Sequence, residues 1–143
     1  MKKPSLYVFL VLMWCNVGFA KPVLLECVED NPPDPDEIAL DYFSLDLEKN
    51  NYAYVAFKKV AKNCTLGNCE ELRIDNKKLP LIYNEPSYLS IGEEDTSQFT
   101  INKKDLSMTW ASYYMSEIGS TNTFKKIDTI YYYSCKKINK FPF

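Results

Sequence analysis

The residues best suited to covalent chemistry in this 143-residue sequence are its five cysteines. Cys15 lies in an apolar N-terminal stretch, and Cys27, Cys64, Cys69 and Cys135 lie beyond it. An even number of cysteines in a small exported chain predicts two disulfides, with three connectivities open. The expected pairing is Cys64–Cys69 with Cys27–Cys135. The first closes a short loop in which Gly67-Asn68 can supply the turn. The second ties the first predicted strand to the last. A four-cysteine zinc site needs two closely spaced pairs. Only Cys64 and Cys69 are close, so no metal is expected, and no cofactor either.

The remaining chemistry is narrow. Histidine is absent, which removes the commonest general base, the Ser-His-Asp and Cys-His arrangements and most catalytic zinc sites. Cysteines held in disulfides offer no thiolate nucleophile. The few glycines are well separated, so no phosphate-cradling loop is present. Paired carboxylates could serve a glycosidase. The candidates, Asp41 with Asp46 and Glu93 with Glu94, fall at predicted turns and outward positions, where they read as surface solubility. The chain therefore reads as a non-enzyme.

Charge excludes a further class. The balance is 17 basic against 19 acidic residues, without the clustered basic excess of a nucleic-acid binder. The lysine pairs are spread along the chain and several sit at predicted turns, as a solvated rim would place them. Arg73 is the sole arginine, which disfavours bidentate recognition of phosphate or carboxylate. The acidic, proline-rich run 29–37 lacks the Gly-centred, regularly spaced ligands of a calcium loop and reads as a linker.

Aromatics are the compositional excess: eleven Tyr, eight Phe and two Trp. Tyrosine combines a broad apolar body with one polar tip, which suits both a half-buried sheet and a recognition surface. Two sets follow. Phe99, Ile101, Met108, Trp110, Tyr131 and Tyr133 are the candidate lining of an apolar ligand cavity of a few hundred Å3. Tyr113, Tyr114 and Met115, in a stretch with no clear strand pattern, are a candidate exposed patch for a protein partner.

The N-terminus bears on compartment. Lys2 and Lys3, an apolar run over 6–14 and Gly18-Phe19-Ala20 before Lys21 have the form of a secretory signal peptide, 1–20. The apolar run is too short to span a bilayer. Trp14 stands where lipidation of Cys15 would need a small residue. The expectation is a protein exported to the bacterial periplasm or the extracellular space, with a single disulfide-bonded β domain over 21–143 and no membrane insertion after cleavage. Asn63-Cys64-Thr65 fits a glycosylation sequon, but the bacterial reading predicts no sugar.

The elements that would hold these residues read as strands. Residues 23–28 form a first strand. Asp34-Pro35-Asp36-Glu37 has the form of a helix start, which predicts a helical turn or two through residue 40. Three stretches then share one pattern: apolar alternation, a polar turn, and alternation again. They predict hairpins over 40–60, 72–83 and 97–111. In the first, residues 52–57 are apolar on both faces, the mark of a central strand or one covered outside. Pro80 predicts an edge or a bulge. Residues 88–91 form a short strand, 112–126 a long loop or loose hairpin, and 127–138 the last strand. The sum is an all-β chain of about eight strands: a small antiparallel meander, an up-and-down barrel in preference to a sandwich.

This outline resembles the lipocalin-like architecture at the level of fold alone, which carries no function. It is also similar in outline to the bacterial inhibitors of c-type lysozyme, small exported β-barrels with disulfides, although their Ser-Gly and Lys-Gly loop patterns are not found here. Two functions follow as expectations. The first is binding of a small apolar ligand in the barrel. The alternative is a protein-interaction module, an inhibitor or accessory subunit, using the Tyr113–Met115 patch.

Overall fold

The computed structural model describes residues 21–65, 67, 69–93, 96–118 and 122–143, with side chains of 114–118 and 122–125 left aside. The predicted leader lies outside the described residues. Among those described there is no helix, and nine strands form one antiparallel sheet. They are β1 Val23–Glu29, β2 Glu37–Asp46, β3 Asn51–Ala61, β4 Glu70–Leu79, β5 Leu81–Asn84, β6 Tyr88–Glu93, β7 Ser97–Asn102, β8 Ser107–Ile118 and β9 Asn122–Ile138. The order across the sheet is β4-β3-β2-β1-β9-β8-β7-β6-β5. Sequential strands pair except β4 and β5, and β1 and β9 pair with each other, so the meander curls into a half-barrel, consistent with the antiparallel barrel-like fold expected.

The seam lies elsewhere than the chain ends. The edges β4 and β5 are separated only by Pro80. There the chain leaves β3 as partner and takes up β6. Pro80 has no N–H to give to a ladder, but its carbonyl accepts from Gly92 N at 2.9 Å. Lys77 of β4 and Glu93 of β6 form an ion pair across the seam at 3.2 Å. The first part of β4 has no partner on its outer side and carries Glu70, Glu71, Arg73 and Asp75, charges that discourage edge-to-edge pairing.

This arrangement corrects the second predicted hairpin. Asp75-Asn76-Lys77-Lys78 does not reverse the chain. Asn76 adopts φ 45°, and the β3–β4 register shifts between Tyr54 and Ala56. Asn tolerates the left-handed region, so turn-type residues here make a bulge inside a strand. The predicted helix start is likewise corrected. Asp34 does accept a hydrogen bond, from Asp36 N at 2.9 Å, but the chain enters β2 at Glu37. The cap forms without a helix behind it, because residues 37–46 are taken into the sheet, paired with β3 on one side and over 40–45 with β1 on the other. In 112–126, β8 and β9 run as one long hairpin, with residues 119–121 outside the described set.

The two-faced apolar stretch of β3 is resolved by its bulge. Tyr52 and Tyr54 face the interior, where Tyr52 belongs to one buried cluster with Leu25, Phe43, Leu45, Ile91, Ile101 and Met108. Past the bulge, the opposite parity turns inward and Phe57 lines the concave side. Val55, Ala56 and Tyr42 then form a second cluster on the outside, covered by Ile138 and Phe141. Tyr42 meets Phe141 and Phe143 edge-on, with ring centroids 6.0 and 5.2 Å apart. The last residues thus cover an outer face that would otherwise expose a tyrosine. Full burial of a side chain such as Leu25 or Phe43 contributes about 1.5–3 kcal/mol each.

Both disulfides form as predicted. Cys27 and Cys135 are directly opposed in the β1–β9 ladder, with Cα atoms 4.0 Å apart, and Cys64 bonds Cys69. Two such bonds suit a non-reducing environment.

Gly92 offers one test of the curl. Its φ is 131°, and a Cβ there would stand 2.5 Å from the carbonyl oxygen of Ser97. Backbone on both sides cannot yield as a side chain would. Gly92→Ala is expected to cost about 2 kcal/mol or more in urea denaturation. An unchanged midpoint would show that the β6–β7 ladder can shift to make room.

Candidate functional site

The concave side of the half-barrel holds a cavity of about 370 Å3. A second, of about 260 Å3, adjoins it toward the β4 seam, and the two share Asp41, Tyr54, Arg73, Trp110 and Tyr133 in their walls. Each residue arrives there by strand alternation. Asp41 follows Glu37 and Ala39 on the inner parity of β2 and precedes Phe43 and Leu45. Tyr131 and Tyr133 are two apart on β9, and Trp110 pairs with Tyr131 from β8.

The aromatic wall is continuous across four strands. Tyr54 of β3, Phe99 of β7, Trp110 of β8 and Tyr131 of β9 stack in series, with centroid separations of 6.3, 5.8 and 5.0 Å. Phe43 meets both Tyr54 and Phe99 edge-on. Such pairs contribute about 0.5–1.5 kcal/mol each beyond their buried area. The indole Nε1–H of Trp110 is buried and has no hydrogen-bond partner among the described residues.

Asp41 is the polar centre. It is 8% exposed, and its Oδ1 accepts from the Tyr54 hydroxyl at 2.5 Å. Burial raises its pKa to about 6; the Tyr54 hydrogen bond opposes the rise, Glu29 adds to it and Arg73 opposes it. The Tyr54 phenol is itself pushed well above its ordinary value, first by burial and then by the charge of Asp41. Tyr133 is raised the same way, by burial and then by Asp41 and Glu29.

The rim is acidic. Pro32, Pro33 and Asp34 of the proline-rich run stand at the larger cavity, together with Glu29 and Glu37. This run is no free linker: Asp30 N donates to Tyr132 O at 2.8 Å, and Ser134 Oγ donates to Asp30 Oδ1 at 2.6 Å. The basic residues in the wall are already engaged. Lys59 pairs with Glu37 at 2.6 Å. Arg73 donates Nε to both oxygens of Asp75 at 3.1 Å and lies over the Phe57 ring.

The predicted cavity set divides. Phe99, Trp110, Tyr131 and Tyr133 stand in the cavity walls. Ile101 and Met108, at 2% and 1% exposed, are packed in the core beneath. Of the predicted partner patch, Tyr113 is half-buried and its hydroxyl donates to Gln98 Oε1 at 3.2 Å, while the side chains of Tyr114 and Met115 lie outside the described residues. Tyr132 faces outward and is exposed.

Asp41 corrects the reading of that residue as an outward surface acid. Its signal was present: it lies two before Phe43 and four before Leu45, on the apolar parity. Among the described residues, no group of three or more His, Cys, Asp or Glu could hold a metal ion. No family model matches this chain, and neither do any curated protein or any solved structure.

Proposed function

We propose that this is an exported, non-enzymatic binding protein whose half-barrel cavity takes a small ligand with an apolar body. The observation that carries this reading is the stacked wall of Tyr54, Phe99, Trp110 and Tyr131 beside a cavity of about 370 Å3. Ligand pockets of this kind are mostly apolar, with few placed polar groups, and fall in a range of about 300–1,000 Å3. The rings are held by four different strands and by one another, so little ordering entropy is lost when a ligand arrives. Export is supported by the two disulfides and by the leader pattern at the N-terminus. Binding rather than turnover is supported by the absence of histidine and by the bonding of all four cysteines beyond the leader.

Native mass spectrometry of protein purified from its own host tests the reading. The expected spectrum carries one small-molecule adduct per chain, lost on denaturation. Recovery of a stoichiometric protein partner with no small-molecule adduct would overturn it in favour of an interaction module.

A further inference from the structure

The polar groups of the cavity carry a sign, and the sign specifies a ligand class. We propose that the cavity selects an organic cation: a small amine whose apolar body lies against the aromatic wall and whose ammonium group meets Asp41. This rests on the cavity being a ligand site, and narrows what enters it.

Three observations converge. First, Asp41 is more than nine-tenths buried and has a neutral hydroxyl, that of Tyr54, as its hydrogen-bonded neighbour. A carboxylate out of water is costly unless a positive charge or several donors compensate it. No ion pair within 4 Å engages Asp41 among the described residues. Second, the wall charges do not balance. Glu29, Asp34, Glu37 and Asp41 line the larger cavity against Lys59 and Arg73. Lys59 is taken by Glu37, and Arg73 by Asp75 and the Phe57 ring. Glu29, Asp34 and Asp41 are left as the surplus, so the field in the cavity is negative. Third, the other lining groups are aromatic. Tyr54, Trp110, Tyr131 and Tyr133 line the same cavity as Asp41, and their apolar bodies lower the local dielectric, which strengthens the attraction between the carboxylate and an ammonium group. An anionic ligand would meet the same field with the opposite sign. A neutral one would leave the carboxylate uncompensated.

Protonation gives a second handle. Glu29 from β1, Tyr54 from β3, Arg73 from β4 and Tyr133 from β9 are the titratable groups acting on Asp41 or acted on by it. With the carboxyl titrating at about 6, acidification should release a cation while leaving a neutral analogue bound.

The experiment is calorimetric titration of the disulfide-bonded protein at pH 7.5 with three probes of one shape: phenethylammonium, 2-phenylethanol and 3-phenylpropionate. Phenethylammonium is expected to bind at least about tenfold more tightly than the alcohol, the scale of a hydrogen bond to a charged group, and the anion more weakly than either. The preference is expected to shrink at pH 5 and to vanish in Asp41→Asn, a variant that keeps an acceptor for Tyr54 and whose folding urea denaturation verifies. Equal binding of cation and alcohol, or a preference for the anion, would overturn the proposal while leaving the cavity as a ligand site. Binding of none of the three would overturn it and count against the cavity reading as well. A cation preference that persists in Asp41→Asn would remove Asp41 from the site.

Discussion

Replacing Cys27 and Cys135 together by alanine is expected to destabilise the protein by about 4–5 kcal/mol. The two residues are 108 apart in sequence. In the chain-entropy account, their bond closes nearly the whole domain into one loop in the unfolded chain, and the entropy lost in a closure grows with loop length. Domains of this size are stable by only about 5–15 kcal/mol in all, so the variant should sit near the edge of folding. The matching variant of Cys64 and Cys69, which are 5 apart, is expected to lose about 2 kcal/mol. Urea denaturation of both double variants gives the comparison. Similar losses would mean that the unfolded chain already keeps β1 near β9, or that strain offsets the gain. The bond also lies between directly opposed residues of the β1–β9 ladder, mid-sheet. Its loss should therefore loosen the wall that carries Tyr131 and Tyr133 before it affects the β3–β4 edge.

Asp41→Asn is expected to make the protein more stable at pH 7.5 by about 3 kcal/mol, and to have no such effect at pH 4. The folded-state pKa of Asp41 is raised from 3.8 to about 6. Between those values the folded protein binds a proton that the unfolded chain does not. The group therefore stabilises the fold below about pH 4, and that contribution is lost as pH rises through about 6. Exposed acids such as Glu93 and Asp105, whose pKa values are lowered by hydrogen bonds, act with the opposite sign. The comparison of wild type with Asp41→Asn isolates the one site. Urea midpoints of both proteins from pH 4 to pH 8 should nearly meet at the acid end, separate progressively up to about pH 6, and stay apart by a constant amount above that. A difference that stays constant with pH would show that the carboxylate is solvated.

Much of the architecture was legible in local pattern. Alternation of apolar residues has period two in a strand, so the faces of β7, of the first part of β8 and of the later part of β9 could be read directly. The disulfide pairing was one of three that the sequence allows, chosen because Cys64 and Cys69 can close a short turn and the other two lie in the first and last strands, and the structure has that pairing. The β6–β7–β8 meander and the β1–β9 pairing followed from hairpin spacing and from that second bond.

The misreadings share a cause. Asp75-Asn76-Lys77-Lys78 and Asp34-Pro35-Asp36-Glu37 have the local chemistry of a hairpin turn and a helix cap. That chemistry is compatible with more than one backbone outcome. At Asn76 a left-handed residue makes either a turn or a bulge. Which forms depends on where the following strand finds its partner, and here β4 continues along β3 through residue 79 while β5, past Pro80, pairs with β6 on the other side of the seam. At Asp34 the cap is made, but the sheet captures the next residues. Both decisions belong to strands distant in sequence.

The site was half legible for the same reason. Phe99, Trp110, Tyr131 and Tyr133 could be assigned to the concave face by parity. The split of Ile101 and Met108 into the packed core could not, because parity gives the face of a residue and not its depth. Asp41 was misread because an acid beside a predicted turn is usually on the surface, although its parity with Phe43 and Leu45 put it inside.

The sequence by itself determined the class of structure, limited its four later cysteines to three pairings, and withheld histidine, the commonest general base. Those rest on composition and near-neighbour periodicity. Only the tertiary structure decided that the seam falls at Pro80, that the bulge at Val55 turns Tyr54 and Phe57 to the same side, and that Asp41 lies at the centre of an aromatic cavity. These depend on the curl of the whole sheet, which sets how far each inward side chain stands from the strands opposite.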